Sequence, residues 1–406
     1  MHVPGWHEAT AKLQAQGRLR MVGLIQEQHP DRCRLFMQWK RMDWPVMVDS
    51  LDLLGVSVVP ITLAIDEHGV IRHRLRRPNL EWLEENFLRK TYAPPSAATA
   101  APARRPDLKR LGSAAKLARR EETPNALAAL EAYGDALVTW ARAKRLTTAI
   151  KSYKRCVSIA PDSAVVHFRL GVAYRKRFDS RHRRPNDFQH AVDHWAKALD
   201  IDPNNYIWRR RIQQYGPRMM KPYPFYDWVP TARKEIRTRG EEPLPLTVEP
   251  GGAEFARPAR RFEGARSGPS EPDAKNRITR DRGLIRAEAT IVPPVVHPGG
   301  AARVHLVFTP NADHKAHWNN ESGPSTVWVV PPDGWEVDKR LLTLPQGGGA
   351  VSREARTVEF EVRCPANARA GQTRLKAYAL YYVCAGAGGQ CLYRRQDLST
   401  ALDVRR

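Results

Sequence analysis

At 406 residues, with 42% hydrophobic and 8% aromatic content, the chain is too long for one ordinary core and apolar enough for several, which excludes global disorder. Its 66 Lys and Arg against 43 Asp and Glu give a formal charge of +23. These residues are spread through every segment without zinc-finger, homeodomain or aromatic RNA-binding spacing, so the charge reads as a solvated basic surface with weak attraction for anionic membranes, and nucleic acid is set aside as a partner.

In chain order, residues 6–17 have a helical pattern and Met21–Gln26 reads as a buried strand. Residues 30–41 place Leu35, Phe36 and Trp39 on one helical face. Asp49–Gly55 predicts a short helix. Val58–Asp66 and Val70–Arg74 predict two strands joined by Glu67-His68-Gly69, and residues 79–88 resume an amphipathic helix. Such alternation predicts an α/β layer over residues 1–92.

Residues 93–125 form a Pro/Ala stretch followed by a basic stretch, read together as a linker whose second half has helical character. Residues 126–216 are helical and repetitive. Residues 217–280, rich in Pro, Gly, Arg and Glu, predict irregular structure, and Tyr223–Trp228 is an aromatic cluster placed at the end of the helical array. Residues 281–406 switch to short alternating segments: Leu284–Ile291, Arg303–Phe308, Thr326–Val330, Thr357–Val362 and Leu375–Val383. Gly/Pro turns separate them, which predicts a β-sandwich or barrel.

The run Val58-Val59-Pro60-Ile61-Thr62, followed by LAIDEHGVIR, resembles thioredoxin-like proteins of the redoxin and peroxiredoxin type. Val22–Ile25 and Trp44–Asp49 resemble further segments of that family, and the likeness covers about residues 6–90. It implies that Pro60 is the cis-proline beside the redox site. The family's first strand and CxxC, expected just ahead of Trp6, are absent from this chain, so dithiol exchange has no site here. A start placed too late is the favoured explanation, and a domain that lacks its first strand is the other. Cys33, one element too late, reads as a passive thiol.

Leu170-Gly171-Val172-Ala173-Tyr174 fits the L-G-x-x-Y core of the tetratricopeptide repeat, with Ala191, Trp195, Ala198 and Pro203 following as its second helix and stop. Ala149, Tyr153, Cys156 and Pro161 match in the preceding repeat, and the extra residues fall within 178–188. Asn204–Tyr215 reads as a capping helix. The resemblance implies a protein or peptide client, with Leu170, Tyr174 and Trp195 serving the repeat core rather than the contact surface.

There are five cysteines, none in a CxxC, and only Cys384 and Cys391 are close in sequence, with a small-residue loop between them. That spacing allows a permanent staple, an exchangeable disulfide or two free thiols. The run His314–Thr326 with Pro332-Asp333-Gly334-Trp335, and the stretch Tyr381–Cys391, resemble the amino-terminal domain of the thiol:disulfide interchange protein DsbD and its relatives over residues 282–404. The likeness implies that Cys384 and Cys391 shuttle electrons with a thioredoxin-like reductant. Leu392-Tyr393-Arg394 departs from that family's Tyr-Pro-Pro. Cys364, followed by Pro365 at a strand end, reads as passive.

His305, His314 and His317 lack a carboxylate or cysteine that would complete a metal set, and no phosphate loop, GxSxG, HExxH or paired-carboxylate signature occurs, so neither metal nor cofactor is expected. No stretch approaches the roughly 18 apolar residues of a membrane helix, and the first residues lack the apolar core of a signal peptide.

The expected fold class is multidomain: an α/β thioredoxin-like fragment, an all-α tetratricopeptide array and an all-β sandwich. The expected function is a thiol–disulfide exchange accessory protein that holds a client through its repeats. Any enzymatic activity then rests on thiol–disulfide oxidoreductase chemistry; the alternative is a non-catalytic repeat scaffold with inert or structural cysteines. The resemblances imply a periplasmic or extracytoplasmic place, and a true start at Met1 a cytoplasmic one.

Overall fold

A computed structural model describes residues 2–56, 61–75, 79–94, 105–220, 228–251, 257–258, 262, 268–386 and 391–406. The chain is multidomain and combines helices with a large curled β-sheet. Two compact units emerge: residues 1–176, 198–211 and 223–248 in one, and 177–197, 212–222 and 249–406 in the other.

The first unit begins with α1 (His2–Ala15), β1 (Gly23–Ile25), α2 (Asp31–Lys40) and β2 (Val46–Val48). Strands β1 and β2 pair in parallel, Gly23 opposite Val46. The Asp49–Gly55 segment is a turn rather than the expected helix. Asp49 accepts from the N–H groups of Leu53 and Leu54, and Asp52 from that of Val56, so local side-chain acceptors take the backbone donors a helix needs. Strands β3 (Thr62–Ile65) and β4 (Ile71–Leu75) make an antiparallel hairpin, followed by α3 (Leu80–Leu83), which runs on as a π-helical turn over Glu84–Leu88. Ala64, Leu83 and Phe87 are the buried centre here, with Trp6, Leu75 and Tyr92 packed around them. Leu24, Met47, Leu63, Ile65 and Ile71 on these strands are exposed, Met47 to 57%.

Within residues 93–125 the chain forms α4 (Leu108–Ala118), capped by Asp107, which accepts from the N–H groups of Lys109 and Arg110. Ala115 and Ala118 are buried, so this stretch is a packed helix as well as a connector. Helix α5 (Pro124–Trp140) starts with Thr123 as cap and proline in the first turn. It meets α6 (Leu146–Ile159) through Gly134, where an added Cβ would lie 2.7 Å from the fully buried ring of Tyr153. Helices α7 (Ala164–Phe178), α8 (Asp187–Ile201) and α9 (Tyr206–Gln213) follow.

Residues 217–280 are not wholly irregular, because α10 (Trp228–Thr238) lies within them. Val229, Ala232 and Ile236 recur at helical spacing and are buried against Leu35 of α2. Trp228 stacks on Trp39 of α2, rings 5.8 Å apart, so the one described member of the 223–228 aromatic cluster packs on α2 and not on the helical array; residues 223–227 lie outside the described residues.

In the second unit the two-residue strands β5 (Met219–Met220) and β6 (Arg257–Pro258) pair with each other. The β-rich part contains β7 (Ile285–Val292), β8 (Val295–Val296), β9 (Ala301–Pro310), β10 (Ala316–Asn319), β11 (Thr326–Val330), β12 (Glu336–Val337), β13 (Leu341–Thr343), β14 (Val351–Ser352), β15 (Arg356–Arg363), β16 (Gly371–Ala385) and β17 (Cys391–Val404). One four-stranded sheet runs β12-β15-β9-β7. A seven-stranded sheet runs β13-β11-β16-β10-β14, with β17 paired to β16 and β8 to β17. The two sheets share a core, to which Val304, Phe308 and Phe360 come from the first and Trp318, Val327, Tyr381 and Val383 from the second. Burial of each such large side chain contributes roughly 1.5–3 kcal/mol.

The other face of the four-stranded sheet is covered as well. His305 lies against Phe188 of α8, rings 5.1 Å apart, and its Nε2 is 2.8 Å from the Tyr215 carbonyl oxygen. The Gln189 side chain accepts from the Ile291 N–H. The buried Arg303 and the half-buried Glu359 and Arg218 form an ionic row on this face.

Candidate functional site

The hairpin of β16 and β17 pairs along all 14 residues of β17, from Gly371 opposite Val404 to Cys384 opposite Cys391. Side chains alternate along a strand, so one parity points into the shared core and the other away from it. Leu375, Ala377, Ala379, Tyr381 and Val383 take the core side. Cys384 and Cys391 therefore belong to the outer row, with Tyr382 and Tyr393, then Leu380 and Arg395, then Tyr378 and Asp397.

Cys384 and Cys391 are joined as a disulfide, Cα atoms 4.1 Å apart, close to the separation of a non-hydrogen-bonded antiparallel pair. Cys384 is buried at 3% exposure, whereas Cys391 is exposed. Gly386, at φ +74°, turns the chain out of β16, and its N–H donates to the Lys315 carbonyl oxygen. Residues 387–390 of the loop lie outside the described residues.

Strand β10 flanks β16 on the side away from β17, with Ala316 opposite Ala385, His317 opposite Cys384 and Trp318 opposite Val383. Trp318 is fully buried in the shared core. His317 thus falls on the outer face, in one row with Cys384 and Cys391. Its Nδ1 lies 3.4 Å from the Lys315 carbonyl oxygen. One step along the hairpin, the Tyr382 and Tyr393 rings meet at 4.5 Å, tilted by 33°, and burial, then Tyr382, push the Tyr393 phenol up.

Farther along the same face a second small core forms from Trp328, Tyr378 and Leu380, with Ile278 and Leu341 against it. The 268–281 segment is fastened there: the Asp273 N–H donates to the Tyr378 hydroxyl oxygen, and Arg395 donates to the Asp273 carboxylate at 2.9 Å. Burial pushes the Asp273 carboxyl up, but Arg395 and the N–H groups of Arg277 and Ile278 outweigh it and hold the group below its ordinary range.

The other cysteines are free thiols. Burial pushes Cys156 up to about 12, and burial likewise raises Cys33 and Cys364. Of the other residues singled out by sequence, Pro60 lies outside the described residues. Leu170, Tyr174 and Trp195 are buried, and Trp195 stacks on Tyr215 at 5.5 Å. The histidines do not form one group, because His305 is on the four-stranded sheet and His317 on the seven-stranded sheet. Among the described residues no cluster of three His, Cys, Asp or Glu could hold a metal, and no helix is long and apolar enough to cross a membrane.

Sequence reasoning missed the relation of His317 to the cysteines, which are 67 and 74 positions away by their residue numbers. The parity of Trp318 was the available signal: a core tryptophan in a strand turns the preceding residue outward.

No family model matches the chain, and no curated protein matches it. Among solved structures, a protein of unknown function from Porphyromonas gingivalis is 17% identical with a TM-score of 0.20, over 30% of this chain and 48% of that one. The chain thus spans about half the length of that protein. The sporulation control protein Spo0M from Bacillus subtilis is 12% identical with a TM-score of 0.15, over 30% of this chain and 50% of the other. The fimbrial major subunit AggA from Escherichia coli is 13% identical with a TM-score of 0.17, over 32% and 98%. Likeness at this level carries no argument about what the chain does.

Proposed function

We propose that this protein is a thiol–disulfide exchange accessory protein whose working group is the Cys384–Cys391 pair. In this reading residues 281–406 are a β-sandwich of the disulfide-interchange type, residues 126–216 a tetratricopeptide array that holds a protein or peptide client, and residues 1–92 a thioredoxin-like fragment. The reductant is a thioredoxin-like dithiol, and the setting is extracytoplasmic.

One observation carries the proposal. The disulfide sits at the loop end of a hairpin that is already paired along its whole length, on the outer face, with one cysteine exposed. It ties neither sheet to the other. A loop of this length yields only about 2.4 kcal/mol of chain-entropy stabilisation, half that of a 100-residue loop. A cross-link so placed adds less to the fold than a long-range one, and the exposed Cys391 is the side from which a thiolate can approach.

The test is the equilibrium of the full-length protein with thioredoxin. A Cys384–Cys391 potential near or above about −270 mV, and a mixed disulfide trapped on Cys391 when the oxidised wild-type protein meets a thioredoxin that retains only its attacking cysteine, support exchange. A potential below about −300 mV with no trapped conjugate removes it and leaves the repeat scaffold with a permanent staple.

A further inference from the structure

The geometry points to His317 as the proton donor to the sulfur that Cys384 releases when the disulfide is opened, an inference that rests on the exchange reading above. Directly opposed residues on neighbouring antiparallel strands bring their Cβ atoms to about 5 Å on one face, within reach of an imidazole and a thiolate. The register sets Cys391, Cys384 and His317 in such a row across three strands. The fold also divides the two sulfurs into unlike roles. Cys391 is exposed and is the one an attacking thiolate meets, while Cys384 is buried. A thiolate released at a buried position is poorly solvated, so its departure gains most from a neighbouring acid.

The thiolate of a thioredoxin-like dithiol gives its electron pair to Cys391 Sγ and forms a new S–S bond, while the Cys391–Cys384 bond breaks and Cys384 leaves with the pair. The His317 imidazolium transfers its proton to that thiolate, which leaves a Cys384 thiol and a neutral imidazole. The partner's second thiolate then attacks the mixed disulfide, releases Cys391 and departs oxidised, two electrons having passed to this chain. The Lys315 carbonyl oxygen beside Nδ1 orients the ring.

The other groups around His317 do not duplicate this role. Tyr382 and Tyr393 lie one step along the outer row, and Lys315 is the turn residue just ahead of β10. Arg353 follows Ser352, which pairs with Trp318, and lies beyond the end of β14. His314 belongs to the preceding turn. The loop residues Ala387, Gly388, Gly389 and Gln390 carry no titratable side chain.

The experiment compares wild type, His317→Gln and His317→Asn as full-length proteins, each verified to hold the disulfide by mass. Reduction rates by thioredoxin and by dithiothreitol are measured from pH 5.5 to 9 and divided by the thiolate fraction of the attacking thiol. The expected result is a wild-type advantage of about a hundredfold or more at the acid end, the low edge of what a positioned acid contributes. That advantage shrinks toward unity at the alkaline end, with the same profile for both reductants. Equal rates at every pH, or a uniform slowing without change of profile, overturn the role of His317 while the exchange reading stands. A wild-type disulfide inert to thioredoxin overturns the exchange reading itself.

Discussion

Tyr382 and Tyr393 face each other across β16 and β17 with ring centroids 4.5 Å apart, one step inside the Cys384–Cys391 bond on the same outer face. The hairpin end is therefore held by an aromatic pair and a continuous ladder as well as by the disulfide. A cross-strand aromatic pair contributes roughly 0.2–1 kcal/mol without any covalent link.

The double variant Cys384→Ser/Cys391→Ser is expected to lose no more than about 2.4 kcal/mol in the unfolding transition of the β-rich unit. Urea titration followed by tryptophan fluorescence measures it, since Trp318 and Trp328 report on the two faces of the seven-stranded sheet. A loss above about 5 kcal/mol, or failure to fold, makes the bond a structural staple.

Arg211 is 2% exposed and donates to the Gln28 side chain at 2.9 Å and to the backbone carbonyl oxygens of Ser50 and Gln26 at 3.1 and 3.0 Å. These partners lie over 160 positions away by residue number, so a single guanidinium ties α9 to the β1–α2 region within the first unit. Arg211→Ala is expected to cost about 3 kcal/mol or more, because buried acceptors are left without their charged donor. Arg211→Lys keeps the charge but loses the planar fork and recovers only part of the loss. Differential scanning calorimetry of the three proteins checks the order.

Asp273 gives an acid-sensitive fastening. Its folded carboxyl lies below the unfolded one, so its stabilisation is fully present above the unfolded value near about 3.9 and is lost as pH falls through the lower folded value. The 268–281 segment should therefore loosen from Tyr378 and Arg395 in acid. Hydrogen-exchange protection at Asp273 and Arg277, referred to the intrinsic rate at each pH, should fall as the pH drops below about 4 in wild type. In Asp273→Asn exchange should already be faster at pH 7 and change less in acid.

The three free thiols should be inert in the folded protein. With Cys156 held up to about 12 and both Cys156 and Cys364 buried, iodoacetamide at pH 8 should label neither within the time that labels both in urea. Cys33, half-buried and raised by burial and then by Glu27, should label more slowly than a free cysteine. Rapid native labelling of Cys33 is the result that assigns it a reactive role.

Much of the element pattern was legible because its period lies inside single segments. Thr326–Val330 is a short apolar, β-branched and aromatic run bounded by turn residues, and Leu146–Ile159 carries its apolar face at helical spacing. Strand β17 was not legible. Its inner row mixes Leu398 and Leu402 with Arg394 and Gln396, so no hydrophobic alternation marks it, and its strand state comes from hydrogen bonding to β16. Helix α10 was hidden by the Pro/Arg-rich stretch around it, although Val229, Ala232 and Ile236 carry the stripe that buries it on α2.

The sequence by itself determined that this chain is modular, that its middle is helical and its end built of short strands, and that only Cys384 and Cys391 stand close enough in the chain for a short-loop bond. Tertiary structure alone decided that this bond lies on the outer face, that Cys391 is the exposed sulfur, and that His317 completes the row. The physical reason is register. Alternation states which residues share a face of one strand, but only pairing between distant strands decides which side chains become neighbours across them.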